Sequence, residues 1–254
     1  MPTTTENTLL FNRLEIKYFV DRTTRTALTK DLMAFMPFDR HSDASGGYFV
    51  RSLYYDTADY MAYHEKLSGA AVRHKLRVRT YGADPSTAPH VRMEVKSRYL
   101  SFIHKIAVDV SQDEYAEIDR AINRRILPPM QIFDGKNISK EYFRILHQYN
   151  FAPKVIIQYR RQAFEKMELG RVRANFDDEI YASRDLSQFM QPLRGARRLL
   201  KYGHSIFEIK VDEAMPTWLH GLIQKYNLQS EAISKFCFAI RSEACFSAMG
   251  REEE

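Results

Sequence analysis

Apolar and polar residues alternate with period two over Arg13 to Val20, and Tyr48 to Tyr55, Lys75 to Tyr81, Val91 to Arg98, Phe102 to Val110, Lys154 to Phe164, Arg171 to Asp177 and Ser205 to Val211 also read as strands. Such alternation predicts half-buried strands. Helical spacing governs the segments between them. Leu28, Leu32 and Phe35 mark a helix over Arg22 to Met36, and Tyr142, Ile145, Leu146 and Tyr149 mark another over Asn137 to Asn150. Ser111 followed by Glu114 reads as a capping box opening a helix to Ile126. Thr217 to Tyr226 and Ser230 to Met249 complete the helices, while His41 to Gly47 and Gly82 to His90 read as loops.

Residues two apart on a strand share a face. In Leu14-Glu15-Ile16-Lys17, Met93-Glu94-Val95-Lys96 and Phe207-Glu208-Ile209-Lys210, one face is apolar and the other carries a glutamate and a lysine. Lys75, Arg77 and Arg79 share a face, Arg92 extends that of Glu94, Arg171 and Arg173 flank Val172, and Lys105 lies between Ile103 and Ile106. The charged faces thus hold ten cations and only the three anions Glu15, Glu94 and Glu208. A solvated sheet face accounts for any one of these strands. It does not account for the set, because like charges on neighbouring strands repel unless an anion lies between them. The pattern therefore predicts a sheet curled with these faces inward around a polyphosphate, whose oxygens Arg and Lys bind through charge-assisted hydrogen bonds. The glutamates then supply hard oxygen donors for Mn²⁺ or Mg²⁺.

Composition narrows the class without deciding it. The 254 residues carry 38 Lys+Arg against 32 Asp+Glu, a formal charge of +6, with 44% hydrophobic residues. These values fit a globular chain with a full core and exclude disorder or a fibre. Gly and Pro are scarce and form no linker, so one domain is expected over residues 13–249, with an extended or disordered segment at 1–12 and a polar tail at 250–254. Two cysteines, Cys237 and Cys245, read as reduced thiols. With no signal-peptide pattern and no long apolar run, the expected location is cytoplasmic.

Competing chemistries find little support. Gly46-Gly47 lacks the Lys-Ser/Thr of a phosphate-binding loop, and the eight histidines show no metal-ligand spacing. His74 and His104 read as surface or packing residues, and Arg197, Arg198 and Lys201 as a solvated basic loop. Tyr54, Tyr55, Tyr60 and Tyr63 read as core and rim aromatics rather than as stacking partners for an adenine. A nucleic-acid surface would interleave its cations with exposed aromatics, whereas these strands interleave them with aliphatics.

Several segments in this order resemble the VTC (vacuolar transporter chaperone) domain, the polyphosphate polymerase branch of the triphosphate tunnel metalloenzymes (CYTH-like superfamily). They are Glu15-Ile16-Lys17-Tyr18, Ser52-Leu53-Tyr54-Tyr55-Asp56-Thr57, Leu76-Arg77-Val78-Arg79-Thr80-Tyr81-Gly82, Glu94-Val95-Lys96, Tyr159-Arg160-Arg161-Gln162-Ala163-Phe164, Arg171-Val172-Arg173, Phe176-Asp177, Phe207-Glu208-Ile209-Lys210 and Ser234-Lys235-Phe236. The resemblance implies an α+β fold: a closed antiparallel β-barrel of about eight strands with flanking helices. It implies phosphate binding by Lys17, Arg77, Arg79, Lys96, Lys105, Arg161, Arg173, Lys210 and Lys235. It places Glu208, Arg77, Arg79 and Lys96 at the reaction, and gives Glu208, with Glu15 and Glu94, to the metal. Between Arg160 and Arg161, which point to opposite faces, periodicity does not choose; the resemblance favours Arg161.

The implied activity is metal-dependent transfer of the γ-phosphate of ATP to a growing polyphosphate. The alternatives are a tripolyphosphate or nucleoside triphosphate hydrolase, and a binding module for polyphosphate or inositol phosphates. The superfamily opens with two glutamates and a lysine on one strand face, and Arg13 stands at the first of those positions. That departure disfavours a two-metal hydrolase more than a one-metal transferase. Full-length eukaryotic relatives carry a regulatory domain and membrane helices that this sequence lacks, and the resemblance implies that any export of product falls to a membrane-protein partner.

Overall fold

The computed structural model describes residues 5–9, 14–43, 46–82, 84–100, 102–133, 138–168 and 170–249. Arg13, Cys245's side chain and the tail from residue 250 lie outside the described set. Ten strands and six α-helices follow in this order: β1 (Thr5–Leu9), β2 (Leu14–Val20), α1 (Arg22–Met33), β3 (Gly47–Asp56), α2 (Met61–Ser68), β4 (Val72–Tyr81), β5 (Val91–Tyr99), β6 (Phe102–Val110), α3 (Gln112–Asn123), α4 (Ile138–Gln148), β7 (Ala152–Glu168), β8 (Gly170–Ser183), β9 (Arg197–Arg198), β10 (Ser205–Val211), α5 (Thr217–Lys225) and α6 (Lys235–Met249). The Ser111 capping box forms as its spacing predicts, with both reciprocal hydrogen bonds present. No described helix is long and apolar enough to cross a membrane.

The strands make one antiparallel sheet in the order β1-β6-β5-β4-β3-β7-β8-β10-β2, with β9 beside β8. Its outer face is dry. Leu76, Val78, Met93 and Val95 pack under α3 and α4 with Ile118, Tyr142 and Ile145. Phe164, Val172, Phe176 and Phe207 pack under α1 and α5 with Leu28, Leu32 and Leu219.

The opposite face is concave and divided. One part is apolar: Val155, Ile157, Tyr159, Ile180 and Ile206 meet Phe236, Ala239 and Ile240 of α6. The remainder carries the charged residues. β2 and β5 stand six strand steps apart along the sheet, about 29 Å if it were flat at ~4.8 Å per step. Yet Lys96 of β5 lowers the pKa of the Glu15 carboxylate of β2, and Lys17 of β2 acts on Lys75 of β4. The sheet therefore curls until β2 faces β4 and β5. Among the described residues no ladder joins β2 back to β1 or β6, so the barrel is not closed by hydrogen bonds. Instead α6 lies inside the curve, where Phe238 meets Phe19 of β2 edge to face at 5.7 Å and the helix also contacts α2 and β7. Its approach is pinned to β2 by the Glu231 amide, which donates to the Lys17 carbonyl.

Candidate functional site

The charged half of the concave face has two walls. On β4, β5 and β6, cross-strand register stacks like charges. Lys75 stands opposite Lys96, and Lys96 opposite Lys105; Arg79 stands opposite Arg92. Directly opposed like charges destabilise a sheet, so this arrangement carries an electrostatic cost. Between these rows Glu94 stands opposite Arg77. It accepts a 2.5 Å bond from Arg77 Nε and lies 2.6 Å from Lys105 Nζ. Burial opposes ionisation of Glu94, but Arg77, Arg79 and Lys105 outweigh it and hold the carboxyl well below the usual range. Arg92 is clamped at two points by Asp109, at 2.8 and 2.6 Å, and Arg79 donates to Ser52 Oγ at 3.0 Å. Neither Lys75 nor Lys96 forms an ion pair among the described residues. Burial brings the Lys75 ammonium down to about 8.

The facing wall is built by β2, β10, β8 and β7. Glu208 is 4% exposed, and three cations converge on it: Lys210 at 3.1 Å, Arg161 at 3.2 Å and Lys17 at 3.4 Å. Burial opposes its ionisation, and Lys210, Arg161, Lys17 and Lys235 overcome that and depress its pKa strongly. Lys17 also lies 2.7 Å from Glu15, so two carboxylates of adjacent strands meet one ammonium. Lys210 is so buried that its pKa falls to about 8 despite Glu208 and Glu15 nearby. Next along β8, the fully buried Asp177 accepts 2.6 and 2.8 Å bonds from Arg161 and a further bond from Lys235 at the start of α6. The Lys235 ammonium also lies 4.6 Å from the centre of the Tyr159 ring.

A pocket lined by Tyr54, Lys75, Arg77, Glu94, Lys96 and Lys105 opens on the first wall. Tyr54 spans toward the second. Burial resists loss of its proton, but Arg77, Arg79 and Lys235 prevail and bring the phenol down to about 8.

A VTC domain model matches residues 12–243. The chain belongs to the VTC domain family. Among solved structures it is similar to the Hippeastrum protein HpAC1, described as having a dominant triphosphatase activity, at 14% identity and a TM-score of 0.51 over 90% of this chain and 96% of that one. A candidate adenylate cyclase from Bacillus halodurans matches at 14% identity and a TM-score of 0.48, over 88% of this chain and 94% of that one. A Pyrococcus horikoshii OT3 protein matches at 13% and 0.48, over 91% and 99%. The similarity to HpAC1 is one of fold. Among curated proteins, none matches by sequence.

In this VTC domain the residues singled out from sequence all lie on the concave face. Lys17, Glu15, Glu208, Lys210, Arg161 and Lys235 gather on one wall, and Arg77, Arg79, Glu94, Lys96 and Lys105 on the other. Arg173 stands at the rim opposite Glu165, 3.9 Å away. Arg161 faces inward, while Arg160 turns outward to Asp43 at 3.6 Å. The three glutamates do not form one metal-ligating group among the described residues. Glu94 stays on its own wall, bound to Arg77 and Lys105, and only Glu15 and Glu208 share a neighbour.

Carboxylates are where sequence reading fell short. Asp177, Asp109, Glu165 and Asp212 all join charged faces, pairing Arg161, Arg92, Arg173 and Arg171. Asp177 carried a readable signal, since it continues the period-two face of Arg171 and Arg173. The other three are partners by strand register or at strand ends, which no single segment reveals. His74 is a packing residue, as expected: it is buried against Tyr149 and bonded to Ser97 at 2.8 Å.

Proposed function

We propose that the protein is a polyphosphate polymerase that transfers the γ-phosphate of ATP to the end of a polyphosphate chain held in the basic bore. The observation that carries this reading is the in-register row Lys75, Lys96 and Lys105, with a second positive wall turned toward it. Such a row is unfavourable while empty and favourable around a chain of phosphates. VTC family membership supports the same substrate class.

Arg77, Arg79 and Lys96 bind the transferred phosphoryl group and offset the charge that builds on its oxygens. Lys17, Lys210, Arg161 and Lys235 hold the neighbouring phosphates, with Lys105 and Arg173 toward the ends of the run. The bond between the β- and γ-phosphates breaks, ADP leaves, and one oxygen of the terminal acceptor phosphate takes the phosphoryl group. That oxygen is already anionic, so the step needs alignment rather than a general base. The donor set suits a divalent cation: Glu208 and Glu15 are hard oxygen ligands that already converge on the cation of Lys17. They would hold Mn²⁺ or Mg²⁺, which when bound neutralises phosphate charge. Glu94 instead fixes the forks of Arg77 and the ammonium of Lys105.

Incubation with ATP and Mn²⁺ tests the reading. Long polyphosphate on a gel is the expected product, and orthophosphate alone would make the protein a hydrolase. Glu208→Gln should lower turnover by at least 100-fold while tripolyphosphate still binds. Binding without any turnover in the unmodified protein would leave a sensing module.

A further inference from the structure

A cavity of about 260 Å³ lies between α2 and α6, outside the two charged walls. Leu67, Ala232, Cys237 and Phe238 give it an apolar lining, and Lys66, Arg241 and Ser234 supply the polar groups. It adjoins the bore at several points. Ser234 immediately precedes Lys235, whose ammonium reaches Asp177 inside. Phe236, the neighbour of Cys237, stacks on Tyr54, which lines one pocket with Lys75 on the opposite wall. Phe238 meets Phe19 of β2, the strand that carries Lys17.

Size and chemistry select the occupant. Drug-sized ligands occupy roughly 300 Å³ or more, so this cavity accepts a fragment and not a whole nucleotide. A phosphate gains more from the bore, where lysines and arginines are concentrated. The apolar surface suits a flat ring with a polar edge. The Arg241 guanidinium is itself planar, is positioned by a 3.3 Å bond from Nε to Tyr63 Oη, and stacks or donates to ring nitrogens. The tyrosines that a base would otherwise seek are engaged: Tyr54 stacks on Phe236 at 5.5 Å, Tyr55 is buried in the outer core, and Lys154 lies 5.1 Å over Tyr60.

We infer that this cavity is the nucleoside subsite of the triphosphate donor. The base enters between Leu67 and Phe238, and the phosphates run past Lys235 and Lys75 into the bore. The inference rests on the bore being the phosphate site. It also fixes direction: the donor enters from the α2–α6 side, and the growing chain occupies the remainder of the bore.

The test compares ATP with inorganic tripolyphosphate, which has the phosphates but no nucleoside. Titration calorimetry is run on the full chain and on Ala232→Trp and Leu67→Trp, two exposed positions on opposite sides of the cavity where an indole fills it. ATP should bind each variant at least tenfold more weakly, with tripolyphosphate affinity unchanged within twofold. Equal losses for both ligands, or no loss of ATP affinity in either variant, would overturn the subsite. Failure of tripolyphosphate to bind the unmodified chain would remove the bore reading and this inference with it.

Discussion

Arg161 grips Asp177 at two points, 2.6 and 2.8 Å, where the carboxylate has no exposure to solvent. Lys235 takes the remaining side of that carboxylate, so one buried anion holds a strand cation and the first residue of α6 together. Removing one member of a buried ion pair costs about 3–5 kcal/mol, because the partners remain charged and unpaired. Asp177→Ala should therefore lose several degrees or more of thermal stability. Tripolyphosphate should restore much of that loss, since a bound polyanion supplies the charge that Asp177 supplied. Scanning calorimetry with and without tripolyphosphate checks both parts. A loss that tripolyphosphate leaves unchanged would place these cations outside the phosphate path.

Adjacent arginines on β7 should behave oppositely. Arg161 belongs to the wall of Glu208, whereas Arg160 lies on the outer side with Asp43. A charged hydrogen bond is worth about 1.5–3 kcal/mol. Arg161→Ala should then weaken tripolyphosphate binding about 10–100-fold, and Arg160→Ala should change it less than threefold. Titration of the two variants side by side decides the matter.

That pair also shows where reading the sequence stops. Alternation on β2, β4, β5 and β10 was decisive because each has one apolar face and one charged face. On β7, Val155, Ile156 and Ile157 are all fully buried, since α6 fills the concave side while the outer face rests in the core. With both faces apolar, period two cannot say which is inside. Helix α2 was hidden for another reason. Its Met61 amide bonds to Thr57 Oγ1, four residues back, and its Ala62 and Tyr63 amides to Asp56, six and seven residues back at the end of β3, so no side chain at the N-cap position marks its start. The curl of the sheet was legible as electrostatics, through the excess of cations. The mode of enclosure was not, because α6 and side chains complete it rather than a last ladder. The counter-ions Asp109 and Glu165 became visible only with strand register.

Tyr54 gives an optical reporter of the bore. Its phenol is brought down to about 8 by Arg77, Arg79 and Lys235 against the effect of burial. Absorbance near 295 nm should show one tyrosine ionising near pH 8, well below the bulk of the tyrosines, and Tyr54→Phe should abolish that step. Tripolyphosphate neutralises the same cations, so it should move the step upward. A step that ignores the ligand would show that the anion does not reach Arg77 and Arg79.

Lys75 and Lys210 set the pH dependence of the empty protein. Burial lowers both to about 8, whereas the unfolded chain keeps them near 10.5. Between pH 8 and 10.5 the unfolded state then binds more protons than the folded state. By linkage, these two groups make unfolding free energy rise with pH across that window. Anion binding follows the opposite sign, since it needs both ammonium groups charged. Tripolyphosphate affinity should fall by up to about tenfold per lysine per pH unit above 8, with proton uptake on binding. Calorimetry in buffers of different ionisation enthalpy measures the uptake. Lys75→Arg and Lys210→Arg, charged throughout, should flatten the profile.

Crystals grown with a non-hydrolysable ATP analogue and Mn²⁺ address the central claim directly. The account predicts consecutive phosphates touching Arg77, Arg79 and Lys96 on one side and Lys17, Arg161 and Lys210 on the other, in a single continuous site. Phosphates bound on the outer surface, or to one wall with the other still closed on its own carboxylates, would contradict it.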